Sequence, residues 1–148
     1  YPEHLRKQID DFCVEFNKDI STGTYLAGHA KTKELYDLHC DTVFNYLEKI
    51  DGMLLKNNYI CGNSITLADV VAFPHLIRFD QFFCECFHLD RKRLYEYPNI
   101  SRFMDRTMAN KSFYDSVDTP QILLGSTCEN NLPIYMCCKA ISCKTHKY

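Results

Sequence analysis

Nine cysteines in 148 residues give this chain its widest scope for chemistry, as thiolate nucleophiles, redox partners or metal ligands. Cys84-x-Cys86-x-His88 has the look of a metal site. On a helix, however, only Cys84 and His88 share a face, and a tetrahedral zinc site needs four ligands. Packing is the better reading, and no metal ligand is assigned. Cys137, Cys138 and Cys143 lack both a histidine pair and Cys-x-x-Cys spacing, and nothing in the sequence shows a lowered thiol pKa there. An odd count spread along amphipathic segments does not resemble a disulfide framework. The expectation is reduced, buried thiols in a reducing, cytoplasmic setting.

Two charged residues stand in an otherwise apolar run. Arg78 and Asp80 are two apart on an expected helix and so do not face each other. A buried charge must be paired, so each is expected to hold a structural partner elsewhere rather than to touch a substrate.

Composition sets the frame for these groups. The chain is 46% hydrophobic and 24% charged with net charge −2, the balance of a globular protein long enough for one domain. Near-neutral charge argues against a nucleic-acid partner, and Arg91-Lys92-Arg93 reads as a solvated helix end. No stretch is apolar enough to span a membrane, and no signal segment is present. The start at Tyr1 suggests a fragment or a processed piece.

The elements that must position these side chains read almost entirely as helices. Leu5, Ile9, Phe12, Cys13, Phe16 and Ile20 recur at steps of three and four, an amphipathic helix over 2–20. Two glycines and several hydroxyls predict a loop over 21–29. A second helix follows over 32–56, with Leu35, Val43, Phe44, Leu47, Ile50 and Leu54 as its stripe. The third is expected over 67–87, apolar on most faces and kinked at Pro74, as the buried centre of the fold. Its start carries two local devices. Thr66 and Asp69 form a capping box, and Ile65 with Val70 forms the flanking hydrophobic staple. Tyr97-Pro98-Asn99 opens a fourth helix to Met108, and a short turn is expected at 111–116. The architecture is therefore an all-α bundle over 1–119 with an irregular tail over 120–148.

Gly62-x-x-Ile65-Thr66-x-x-Asp69 resembles the capping-box and staple motif of the C-terminal helical domain of cytosolic glutathione transferases. With Leu76-Ile77-Arg78-Phe79-Asp80, the basic Arg91-Lys92-Arg93 and Tyr97-Pro98-Asn99, the resemblance narrows to the xi class, the glutathionyl-hydroquinone reductases. It covers about residues 1–115. It implies a preceding thioredoxin-like domain, absent from these residues, that binds glutathione and holds a cysteine nucleophile beside a proline. That thiolate attacks the sulfur of a glutathionyl-hydroquinone and releases the hydroquinone, and a second glutathione then clears the enzyme. No Cys-Pro dipeptide occurs in this chain, so no catalytic residue is assigned within it.

The resemblance also implies that this domain walls the pocket for a small aromatic electrophile or glutathione conjugate. Tyr25 matches a family tyrosine near the bound aromatic ring, where a phenol can donate to a quinol oxygen. A second family tyrosine has its nearest counterpart in Gln121-Ile122-Leu123-Leu124-Gly125, which contains none. Relatives form homodimers, and the run Phe82 to Phe87 corresponds to a helix end used there, although three phenylalanines are more often core. Two alternatives share the fold: a non-catalytic interaction module of translation or synthetase complexes, and an omega-like dehydroascorbate reductase.

Overall fold

The structure is a computed structural model that describes residues 1–125. The cysteines at 137, 138 and 143, and most of the expected tail, lie outside the described residues. Helix α1, Arg6–Phe16, buries Ile9, Phe12 and Phe16. The chain then stays helical where a loop was expected. A π-helical stretch, Asn17–Thr22, leads directly into α2, Gly23–Gly28.

The two glycines explain the difference. A Cβ on Gly23 would lie 3.1 Å from Cγ2 of Val43, and one on Gly28 would lie 2.4 Å from Cγ of Phe87. Neither has a positive φ; that conformation belongs to Gly62, at φ 133°. Gly23 and Gly28 therefore serve close packing, whereas loop composition reads glycine as backbone freedom.

Helix α3, Lys33–Leu54, starts at Thr32, whose hydroxyl accepts the Leu35 amide at 3.3 Å. Its buried side carries Cys40, Val43, Phe44, Tyr46, Leu47, Ile50 and Leu54, while Leu35 in the first turn stays exposed. A short connection then brings the chain to the entrance of α4, Leu67–Arg78. Both halves of the capping box are present there, and Asp69 Oδ2 accepts from the Thr66 amide at 2.7 Å. Asp69 reaches further than a cap. Its Oδ1 accepts the Ile60 amide at 2.9 Å, so one buried carboxylate fastens both the helix start and the loop before it. Burial nevertheless pushes its carboxyl above the ordinary carboxylate range, against the pull of these donors. Ile65 and Val70 both remain substantially exposed, and neither joins the core.

The α-helical pattern runs through Pro74 and changes five residues later, at Phe79. A π-helical stretch, Phe79–Phe83, separates α4 from α5, Cys84–Phe87, which ends at His88 in the left-handed conformation. Helix α6, Pro98–Met108, is capped from another helix. Asp51 of α3 accepts the amides of Asn99 and Ile100 at 2.8 and 2.9 Å, a carboxylate at the positive end of the helix dipole. The basic triplet before α6 is not a solvated helix end. Arg91 pairs with Asp41, Lys92 with Glu48 at 2.8 Å, and Arg93 with Glu85 at 2.8 Å.

Helix α7, Lys111–Asp115, and helix α8, Thr119–Gly125, complete the described chain. The irregular tail expected from residue 120 is thus helical at its start. Asp118 accepts the Gln121 amide at 3.1 Å, and Pro120 sits in the first turn, a helix-start signal hidden among turn formers. The fold is all-α. Among the described residues the sole extended pairing is an isolated bridge between Tyr59 and Gly62.

Candidate functional site

An open cavity of about 420 Å³ forms where α2, the π-helical stretch and the α7–α8 region meet. Tyr25 comes from α2, Arg78 from the end of α4, Phe82 and Phe83 from the π turn, and Asp118 and Gln121 from the start of α8. A π turn carries more residues per turn than an α-helix and is frequent at functional sites. Here it places both neighbouring phenylalanines, Phe82 and Phe83, on the cavity wall.

Tyr25 is held by its ring. The ring meets Phe83 edge-on at 5.8 Å and Phe87 at 5.6 Å between centroids, and His29 stacks on it at 6.3 Å. His29 is fixed in turn by a 2.8 Å contact from Nδ1 to the Tyr25 carbonyl. The Tyr25 side is 48% exposed, and its hydroxyl has no hydrogen bond to any described residue. That combination suits a phenol that donates to a bound ligand.

Arg78 and Asp80 part company. Arg78 is exposed, donates from Nη1 to the Pro74 carbonyl at 2.7 Å and makes no ion pair among the described residues. It lines the cavity, and the charge partner expected elsewhere in the bundle is not found among the described residues. Arg78 is the last residue of α4, on its exposed face, and the π-helical stretch that carries Asp80 begins directly after it. Asp80 does hold a structural place. Its Oδ1 accepts the Leu94 amide at 3.0 Å, and Arg93 bonds its carbonyl at 2.9 Å. Burial pushes the Asp80 carboxyl upward.

The thiols are packed rather than poised. Cys84 donates to the Leu89 carbonyl at 2.9 Å, and burial pushes its thiol up to about 12. Cys13, Cys40 and Cys61 are likewise raised by burial, which lowers the thiolate fraction that nucleophilic attack requires. Among the described residues no group of histidine, cysteine and carboxylate side chains is placed to hold a metal. Phe83 and Phe87 are buried and Phe82 lines the cavity, so the residues considered for a dimer contact are engaged within the chain.

Sequence reasoning singled out Tyr25 and noted that the stretch Gln121-Ile122-Leu123-Leu124-Gly125, the nearest counterpart of the segment with the second family tyrosine, contains none. It missed Phe82, Phe83 and Asp118 as wall residues, because an aromatic run reads as core and Asp118 lies where no helix start was expected. The helix start at Asp118-Thr119-Pro120 was the signal that could have found the last of these.

A model of the glutathione S-transferase C-terminal domain matches residues 33–106. The chain belongs to that family. It is similar to two glutathionyl-hydroquinone reductases, PcpF of Sphingobium chlorophenolicum and YqjG of Escherichia coli. Identity is 29% over 75% of this chain for the first and 32% over 70% for the second. These alignments cover 36% and 32% of the relatives, so the chain spans about a third of their length. The glutathione-bound structure of YqjG superposes with a TM-score of 0.81 at 28% identity, covering 86% of this chain and 42% of that one. The xi glutathione transferase ECM4 of Saccharomyces cerevisiae, in complex with glutathione, gives 0.80 at 25% identity, covering 84% and 43%. This glutathione S-transferase C-terminal domain thus resembles the xi class in both sequence and fold.

Proposed function

We propose that this chain is the electrophile-pocket part of a glutathione-dependent reductase of the glutathionyl-hydroquinone type. The single observation that carries the reading is Tyr25, fixed by three aromatic neighbours and presenting a phenol without a hydrogen bond to any described residue in a cavity floored by Phe82 and Phe83. A thioredoxin-like domain of the longer protein supplies the cysteine and binds glutathione.

In the reaction, the cysteine thiolate attacks the glutathionyl sulfur of the conjugate and forms a mixed disulfide. The electron pair of the broken carbon–sulfur bond passes to the ring carbon, which takes a proton and leaves as the hydroquinone. A second glutathione thiolate then attacks the glutathione sulfur of that mixed disulfide, which releases glutathione disulfide and restores the cysteine thiolate. This chain orients the ring against Phe82 and Phe83, and the Tyr25 hydroxyl donates to a quinol oxygen. The same reading makes the protein a cytoplasmic homodimer; Cys13, Cys40, Cys61 and Cys84, unbridged among the described residues, suit a reducing compartment.

The test is turnover of a glutathionyl-hydroquinone by the full-length protein, with one glutathione disulfide formed per hydroquinone released. Tyr25→Phe is expected to lower kcat/KM by about tenfold or more with an unchanged melting temperature, the loss of one hydrogen bond to the reacting ring. A full-length protein that neither turns over the conjugate nor is retained on immobilised glutathione would overturn the reading. Recovery of synthetases or elongation factors in its place would favour an interaction module.

A further inference from the structure

A second, smaller cavity of about 110 Å³ lies between the C-terminal end of α3 and the face of α6, and it shares no lining residue with the first. Lys56, Asn57, Asn58, Asn99, Arg102 and Arg106 line it. Leu54 and Leu55 complete the lining, and among the described residues none of the three cations, Lys56, Arg102 and Arg106, has a carboxylate within ion-pair distance. The chain as a whole is net negative, so this is a local concentration of positive charge and not a general basic surface.

Both guanidinium groups are oriented by neutral acceptors. Arg102 donates from Nη2 to Asn99 Oδ1, and Arg106 from Nη1 to the Asn58 carbonyl at 2.6 Å. Asn99 is itself immobile: it is 7% exposed, and its amide nitrogens donate to Asp51 at 2.8 Å from both backbone and side chain. Asp51 thereby spends its charge on the start of α6, against three donors. Arg106 is steadied further by the Tyr59 ring, 5.9 Å away.

Like charges one helical turn apart repel, and an anion shared by both relieves that repulsion. A guanidinium fork matches the oxygens of a tetrahedral oxyanion, and each arginine here keeps a terminal nitrogen uncommitted to the bonds just described. The space is too small and too polar for an aromatic ring. We propose that Lys56, Arg102 and Arg106 form an anion site for a phosphate group, either the free ion or a small phosphate monoester.

The experiment follows the melting temperature of the full-length protein against inorganic phosphate and, separately, glycerol phosphate at pH 7.5. Potassium chloride is titrated at matched ionic strength, because a general salt effect acts through screening alone. A saturable rise is expected with phosphate and absent with chloride. A response to inorganic phosphate alone identifies the free ion, and an equal or stronger response to glycerol phosphate identifies the ester; both support the site. Arg102→Gln is expected to weaken the apparent affinity by about tenfold, the scale of one charge-assisted pair. Arg106 also holds the Asn58 carbonyl, so its variant risks the fold, and Lys56→Gln serves as the second probe. No saturable rise, an equal rise with chloride, or an unchanged affinity in both Arg102→Gln and Lys56→Gln would overturn the proposal.

Discussion

Gly28 and Phe87 touch so closely that a single methyl group cannot come between them. A Cβ on Gly28 would lie 2.4 to 2.6 Å from three carbons of the Phe87 ring, which is 6% exposed. The same ring supports Tyr25 at 5.6 Å, so the contact links helix packing to the cavity wall. Gly28→Ala is therefore expected to cost about 1–3 kcal/mol through overpacking. Urea unfolding should show a lower midpoint with an unchanged slope, and, under the proposed function, turnover by the full-length protein should show a rise in KM larger than the fall in kcat. Gly52, in the last turns of α3, has nothing within 4 Å of its Cβ position. Gly52→Ala should have the opposite sign and stabilise by about 0.5–1 kcal/mol.

His88 closes α5 with φ 56° and ψ 32°, a left-handed conformation costly for any residue with a Cβ. What the fold uses there is the backbone, since the Tyr36 hydroxyl donates to the His88 carbonyl at 2.6 Å. His88→Gly keeps that bond and removes the strain. Allowing for the greater freedom of glycine in the unfolded chain, a net gain of about 0.5–1 kcal/mol is expected. A lower melting temperature in this variant would show that the imidazole itself contributes to packing.

His75 makes stability depend on pH. Its ring lies parallel to Phe83, 6.3 Å away at 9°, and edge-on to Phe16 at 5.7 Å, and Nδ1 is buried without a hydrogen-bond partner among the described residues. Burial first, and then the nearby Arg78 charge, lower its pKa below the ordinary value of 6.5. The unfolded chain therefore binds the proton more readily than the folded one. The contribution of neutral His75 is fully present above pH 6.5 and is lost as pH falls through the lowered folded value. His75→Phe removes this titration while keeping an aromatic ring between Phe16 and Phe83. Denaturant unfolding at pH 7.5 and pH 5.5 should show a smaller loss in the variant than in the parent. An equal loss in both would assign the pH dependence to other groups.

The parts legible in the sequence were those governed by near neighbours along the chain. Thr66 and Asp69 are three residues apart, so their cap can be read as a pattern, as can Pro98 at the start of α6 and the stripe from Val43 to Leu54. The second role of Asp69, on the Ile60 amide nine residues earlier, has no such pattern. Nor do the bonds of Asp51 to the start of α6, made across 48 and 49 positions. Tyr25 was singled out through likeness to a family, and its ring contacts with Phe83 and Phe87 come from far along the chain.

The sequence by itself determined an all-helical fold, the start of its buried helix and the family to which it belongs. Periodicity and capping are local, and local interactions leave regular marks in the order of residues. Tertiary structure decided the rest: that Gly23 and Gly28 are packing residues within a helix, that Arg78 turns to a cavity while Asp80 anchors Leu94, and that Arg91 to Arg93 bind the bundle. Each of these depends on which surface arrives opposite a given side chain. That is set by the packing of whole helices, and neighbouring positions in the chain carry no record of it.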